Sequence, residues 1–296
     1  MNGQELQRKV LRYQAKEILE KHVYEKIASF IKKDADKATL LKIAAEEQRH
    51  YDIWKRYTGV DVKYSKVRAL YYVLLARLLG YTFAIKRMES PLYKENAGEA
   101  VEVIEALETV VPEVKSILID EEAHEKALIE IIDEEKLRYV GSIVLGLNDA
   151  LVEFTGSLAG WTFAMQSNRL IALAGLITGV SATLSMASSE YLSVRHEEGG
   201  KNALKSASYT GFAYLMTVML LLLPYLVLPD GAYFISLGIM LLLAISVIAA
   251  FNYYISVTRT ISFKKKFLEM SLVSLSVAAV SFVIGLLVKR FLGLDV

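Results

Sequence analysis

Two Glu-x-x-His pairs, Glu47 with His50 and Glu121 with His124, use two of only four histidines in a chain of 296 residues. That spacing sets a carboxylate and an imidazole side by side on one helical face. Both pairs fall on apolar stripes: Leu40, Ile43, Glu47, His50, Trp54, Tyr57, and Val114, Ile117, Glu121, His124, Leu128, Ile131. A third segment reads Leu6, Val10, Tyr13, Glu17, Glu20, Tyr24, Ile27, Ile31, and a fourth Tyr71, Leu75, Leu78, Thr82, Ile85, Glu89. An acid interrupts every stripe that should build a core. Inward-facing acids repel one another and would be neutralised or expelled unless a cation held them. Two Glu-x-x-His pairs with single glutamates from two other helices form the donor set of a two-metal carboxylate site in a helix bundle. The expected metal ligands are Glu17, Glu47, His50, Glu89, Glu121 and His124, with Glu20 beside them.

A second group of acids stands where charge is expensive. Asp149 and Glu153 lie four residues apart inside an otherwise uncharged run, residues 139–168. Glu190 ends another such run, 170–189, and shares a face with Met186 four residues earlier. An ionisable residue inside a membrane span costs about 2.5–3.5 kcal/mol on insertion scales, so these need a reason. Carboxylates with a thioether suit a softer divalent cation such as Fe²⁺ or Mn²⁺. Carboxylates also exchange protons. Asp149, Glu153, Met186 and Glu190 are therefore candidates for a low-charge pocket that takes such a cation.

The elements that must carry these two groups follow from the charge distribution. Residues 1–138 hold 24 Lys/Arg and 25 Asp/Glu, whereas 139–296 hold 10 and 8, and the net charge of +1 conceals the split. The first half reads as a solvated helical domain and the second as one that avoids water. Residues 209–229, 232–258 and 270–288 carry no charge, and each is close to or beyond the roughly 20 residues a helix needs to cross hydrocarbon. With 139–168 and 170–189 they make five expected spans. The fold class expected is all-α, a four-helix bundle over 1–138 followed by a five-helix membrane domain over 139–296. Basic residues gather in alternate connections (Arg195, Lys201, Lys205; Arg259, Lys264, Lys265, Lys266), which predicts a multi-pass cell-membrane protein with residues 1–138 in the cytoplasm and the C-terminus outside. The first residues lack the apolar core of a signal peptide, consistent with that sidedness. Absence of cysteine excludes a disulfide scaffold and thiolate metal sites. No basic stripe interleaved with aromatics points to nucleic acid.

The run Gly146-Leu-Asn-Asp149-Ala-Leu-Val-Glu153 resembles the first-span signature of the vacuolar iron transporter family. The run Leu184-Ser-Met186-Ala-Ser-Ser-Glu190-Tyr-Leu-Ser193 resembles its second-span signature. The resemblance covers residues 139–296. It implies a homodimeric Fe²⁺/Mn²⁺–proton antiporter that moves metal out of the cytosol, with Asp149, Met186 and Glu190 lining the path. Eukaryotic members insert a glutamate-rich segment between spans two and three; here that link is 195–206, with only Glu197 and Glu198. Residues 5–135 resemble the rubrerythrin branch of the ferritin-like proteins, through the spacing of Glu17 and Tyr24, both Glu-x-x-His pairs and Lys86-Arg-Met-Glu89. That resemblance implies a bridged di-iron centre that takes up Fe²⁺ and reacts with oxygen or peroxide. Its usual second acid after helix three falls on Leu92, which leaves Glu20, Glu95 or Glu99 as the sixth carboxylate.

Two further expectations follow. The connection 58–65 reaches at most about 26–29 Å, and a 20-residue helix is about 30 Å long. That shortfall predicts that helices one and two pair with helices three and four of a second chain, giving a swapped homodimer. Residues 133–139 contain no Gly, Pro or Ser, which predicts a rigid junction between the halves. The leading function is an iron or manganese exporter with a di-iron capturing, sensing or oxidising domain. The alternative is a membrane-anchored rubrerythrin-like di-iron oxidase or peroxidase, against which the intramembrane acids argue.

Overall fold

The computed structural model describes residues 3–89, 106–130, 139–196, 202–259 and 261–292. Among them every regular element is helical and none is a strand. The chain divides into two compact units, Met1–Glu134 and Glu135–Val296.

The first unit opens with two long helices, α1 (Gly3–Ala28) and α2 (Asp34–Thr58). Asp34 and Asp36 favour the start of α2, and Lys55 and Arg56 its end, by complementing the helix dipole. Gly59 closes α2 in the left-handed region at φ 70°, returning its N–H to the Lys55 carbonyl. Ser65 caps α3 (Lys66–Leu79) by accepting from the Arg68 N–H at 3.3 Å. After Gly80 comes α4 (Tyr81–Glu89), and α5 spans Val114–Glu130.

The fourth stripe does not form one helix. Gly80 adopts φ 99° and ψ 149°, a conformation open essentially to glycine alone, and it reverses the chain between α3 and α4. From Gly59 the link turns back along α2, where the Tyr51 hydroxyl meets Asp61 and Tyr64 stacks on His22 at 4.1 Å. The α3 helix then continues toward the far end, where Arg77 lies over the Phe30 ring at 5.3 Å. There the Tyr81 hydroxyl donates to Asp36 at 3.0 Å, and α4 climbs back until Glu89 meets Tyr24. Thr82 and Ile85 are buried as the stripe requires, whereas Tyr71 and Leu78 on α3 are exposed.

This corrects the length argument for a swapped dimer. The crossover is not the short link alone but residues 59–80, including all 14 residues of α3. That is long enough to return α4 parallel to α2 within one chain. No second copy is required for the four helices to meet.

The packing separates into two apolar clusters with a polar waist between them. One holds Leu19, Val23, Tyr24, Ile27, Leu40, Ile43, Ile85, Met88 and Leu128. The other holds Val10, Ile53, Trp54, Val111, Val114 and Ile117. On α1, α2 and α5 alike, the residues between the clusters are the acids and histidines: Glu17, then Glu47 and His50, then Glu121 and His124. Each fully buried Leu or Ile contributes about 1.5–3 kcal/mol, so the two clusters supply the energy that holds the waist closed.

The second unit begins with α6 (Val140–Asp149), passes through a π turn over Ala150–Phe154, and continues as α7 (Thr155–Met165). Then come α8 (Asn168–His196), α9 (Ala203–Val227), α10 (Tyr233–Arg259) and α11 (Phe263–Leu292). Among the described residues, four stretches are long and apolar enough to cross a membrane: Asn168–His196, Ala203–Val227, Asp230–Arg259 and Phe263–Phe291. Asp230 ties the two short connections together, accepting from the Ser167 hydroxyl at 2.8 Å and the Arg169 N–H at 2.9 Å.

Small residues let these helices touch. A Cβ on Gly285 would stand 2.4 Å from the Gly160 carbonyl oxygen, so α7 and α11 cross backbone to backbone. A Cβ on Gly146 would lie 2.3 Å from the Thr210 carbonyl, which closes α6 on α9. The π turn frees carbonyls from their ladder, and the Ser274 hydroxyl on α11 takes up that of Leu151 at 2.6 Å. The junction residues 131–138, and the link from Glu197 to Lys201, lie outside the described residues.

Candidate metal centre and membrane acids

Ligand atoms of Glu17, Glu47, His50 and Glu121 all lie within 4.8 Å of one another at the waist of the first unit. The helices α1, α2 and α5 bring them together because each presents one turn of polar residues between apolar ones. His50 Nδ1 faces Glu47 Oε2 at 3.5 Å, Glu121 Oε1 at 3.6 Å and Glu17 Oε2 at 3.9 Å. His124 Nδ1 faces Glu47 Oε1 at 3.1 Å and Glu121 Oε1 at 3.9 Å. Both imidazoles therefore aim the same nitrogen inward.

Their outer nitrogens are held by acids that lie outside both Glu-x-x-His pairs. His50 Nε2 contacts Asp120 Oδ2 at 3.2 Å, and His124 Nε2 contacts Glu46 Oε2 at 2.7 Å. Each of these acids directly precedes the glutamate of the opposite motif. The two Glu-x-x-His pairs thus brace each other crosswise, and Arg49 engages Asp120 as well. A carboxylate on the outer nitrogen fixes ring orientation and leaves the inner nitrogen to a metal. The signal for both was the repeated acidic doublet, Glu46-Glu47 and Asp120-Glu121.

The inward atoms are short of partners. Glu17 Oε2, both Glu20 oxygens, Glu47 Oε2, His50 Nδ1, Glu121 Oε1 and His124 Nδ1 are buried without a well-aligned hydrogen bond. Buried polar groups are nearly always satisfied, and here the exceptions converge on one point. A divalent cation is what such a donor set fits, and oxygen with imidazole suits iron, manganese and other first-row ions. Glu17 is steadied on its other oxygen by the Trp54 indole N–H at 3.2 Å.

Protons redistribute accordingly. Burial, then the neighbouring Glu47, pushes the Glu17 carboxyl well up. Burial raises Glu20 and Glu89 too, against the pull of Lys16. Burial works against the charged form of Glu47 as well, but the close contacts with His124 and His50 win and hold it far below the usual range. Burial alone would lower His50; contacts with Glu121 and Glu47 outweigh it and place it at about 9. His124 is raised by Glu47 and Glu46 against the same burial. At about 9, the His50 imidazole of the metal-free chain is charged at neutral pH.

Glu89 and Glu20 occupy the far side of the cluster. The Tyr24 hydroxyl donates to Glu89. Lys16, which lies off the inward stripe of α1, enters here: its Nζ lies 3.0 Å from Glu20 Oε2 and 3.4 Å from Glu121 Oε2, with its side chain 10% exposed. Of the three expected sources of a sixth carboxylate, Glu20 is buried within electrostatic reach of Glu89, Glu47 and Glu121 but outside the tight group of four, and Glu95 and Glu99 lie outside the described residues.

In the second unit the expected path residues form two contacts along α6. Near its start the Ser142 hydroxyl donates to Glu190 Oε1 at 2.7 Å. Seven residues on, about 10 Å along the axis, Asp149 stands at the π turn and interacts with Glu153 inside it. The buried Tyr214 hydroxyl faces Glu153 and lies within electrostatic reach of Asp149 as well. Glu153 is exposed on this unit, Asp149 and Glu190 are half-buried, and Met186 packs against the apolar core. A π turn is a frequent companion of functional sites because it displaces side chains from the regular helical register.

Residues 140–199 match the VIT family. The matched stretch covers α6, the π turn, α7 and α8, and so contains Asp149, Glu153, Met186 and Glu190. With the four membrane-length helices, the match supports a vacuolar iron transporter-type membrane domain. No curated protein and no solved structure matches the chain.

Proposed function

We propose that the chain is a divalent-metal exporter for Fe²⁺ or Mn²⁺, driven by proton exchange. The observation that carries this reading is the VIT-family match over the stretch that holds the intramembrane acids. Metal ion transport across a membrane is what that family suggests. In this reading Val140–Met165 is a fifth span, its helix relaxed by the π turn. Glu190, Met186, Asp149 and Glu153 line the path, the two carboxylates at the π turn exchanging metal for protons. Glu153, exposed on a single chain, is covered by a second copy in a homodimer within the bilayer. Residues 1–138 face the cytoplasm and the C-terminus lies outside.

The first unit is, in the same reading, a ferritin-like domain that takes up the transported metal. Glu17, Glu47, His50, Glu121 and His124 would hold it, with Glu89 and Glu20 on the far side. A bound iron centre would supply redox chemistry toward oxygen or peroxide. The chain's own residues position the ligands: Trp54 fixes Glu17, and Glu46 and Asp120 fix the imidazoles.

Proteoliposomes containing the full chain test the proposal. Fe²⁺ or Mn²⁺ flux coupled to a proton gradient is expected, and Asp149→Asn should abolish it while the purified protein keeps its helical content and oligomeric state. Undiminished flux in that variant would sink the assigned path. The convergent unsatisfied donors of the first unit also favour a second reading, a membrane-anchored di-iron oxidase or peroxidase. Peroxide-dependent oxidation of bound iron with no metal flux would select it.

A further inference from the structure

We propose that the ammonium of Lys16 occupies the second cation position of the cluster, so that the wild-type chain binds one divalent ion tightly where a two-metal bundle would bind two. The inference rests on reading the waist of the first unit as a metal site.

Glu121 carries the argument. In a two-metal carboxylate site a bridging carboxylate gives one oxygen to each ion. Here Glu121 Oε1 faces His50 Nδ1 at 3.6 Å, on the side where Glu17 and Glu47 converge. Its other oxygen, Oε2, accepts from Lys16 Nζ at 3.4 Å. The ammonium also pairs with Glu20 Oε2 at 3.0 Å and lies in the field of Glu17 and Glu89. The carboxylates that would surround a second metal therefore surround a lysine.

Lysine is almost never buried unless paired, and Lys16 is buried among the acids that an empty second position would leave uncompensated. At the first position the groups facing Glu17 and Glu47 are the His50 and His124 imidazoles, which are themselves metal ligands and need not leave. A divalent ion entering between Glu20, Glu89 and Glu121 meets a like charge in contact distance and must drive the lysine out. The two positions are thus unequal by construction. One loads readily; the other loads only when Lys16 swings away on its flexible stem.

Electron paramagnetic resonance of Mn²⁺ bound to the full-length protein in detergent tests this, since two ions sharing a carboxylate give an exchange-coupled signal and solitary ions do not. Ions in the membrane path contribute only uncoupled signal and do not confuse the readout. Wild type is expected to give solitary Mn²⁺, part of it lost in Glu47→Gln. Lys16→Met is expected to give the coupled pair, with affinity for the second ion raised at least tenfold. Lys16→Gln, which keeps polarity without charge, serves if the methionine variant does not fold, and should behave alike. A coupled pair in wild type at low Mn²⁺ overturns the proposal without need of any variant. Solitary Mn²⁺ in wild type and both lysine variants also overturns it, while leaving the metal site intact. If Glu47→Gln removes no signal from wild type, the metal site itself fails, and this inference with it.

Discussion

Replacing Glu46 by glutamine removes one charge that touches no expected ligand oxygen, yet it should weaken metal binding. Glu46 Oε2 lies 2.7 Å from His124 Nε2, a charge-assisted contact that fixes the ring and keeps Nδ1 turned inward. Loss of such an outer partner costs about 10–100-fold in metal affinity, or about 1.4–2.8 kcal/mol. The Glu46 side chain is 30% exposed, which places the effect nearer the lower bound, at about 10–30-fold. Asp120→Asn should cost less, about tenfold or under. Its contact with His50 is longer, 3.2 Å, and Arg49 already engages the same oxygen. Glu122→Gln is the control, because Glu122 is exposed and pairs with Lys126 one turn on, away from the imidazoles. The assay is calorimetric titration of the full chain with Mn²⁺ in the Asp149→Asn background, which weakens binding in the membrane unit. If Glu46→Gln binds as tightly as Glu122→Gln, the crosswise bracing has no bearing on the metal.

Two other outcomes follow from the same geometry. Metal-free protein in chelator should lose thermal stability from pH 6 to 9. The folded His50 value of about 9 exceeds its ordinary 6.5, so its contribution is complete below 6.5 and is lost as pH rises through 9. The raised Glu17 and Glu20 carboxyls act in the same sense, whereas the contribution of Glu47 is already complete above pH 4.5 and stays flat. Melting followed by Trp54 emission in a Trp161→Phe background reads this, and a midpoint rising with pH would contradict it. Gly80→Ala should destabilise the first unit by about 1–3 kcal/mol, because alanine is excluded from φ 99°, ψ 149°. Denaturant unfolding of the same tryptophan checks it, and an unchanged midpoint would mean the chain does not turn there.

Much of the first unit is legible in its residues. The inward stripes of α1, α2 and α5 follow from helical spacing, and the convergence of Glu17, Glu47, His50, Glu121 and His124 follows from the acids on them. What escapes is what spacing does not encode. Gly80 sits inside a good apolar period, and only its backbone angles break the helix and lengthen the crossover. Lys16 lies one position off the stripe and reaches inward because its stem is long enough to snorkel toward Glu20. Glu46 and Asp120 read as ordinary surface acids until the opposing helix is in place. In the second unit, apolar length alone marks four spans. The π turn between Asp149 and Thr155 has no compositional mark, since Ala-Leu-Val-Glu-Phe would suit a regular helix equally well.

The crosswise acids carry a consequence for descent. Glu46 serves His124 and Asp120 serves His50, so neither helix owns a working half of the site. Substitutions are expected to travel in pairs between the helices, Glu46 with His124 and Asp120 with His50, rather than within each four-residue motif. A lineage that abandoned one histidine would release selection on an acid about 75 residues away and leave that acid's own neighbours untouched. Grafting either motif alone onto another scaffold would transfer a carboxylate and an imidazole with nothing behind the imidazole. The heritable unit is the pair of helices.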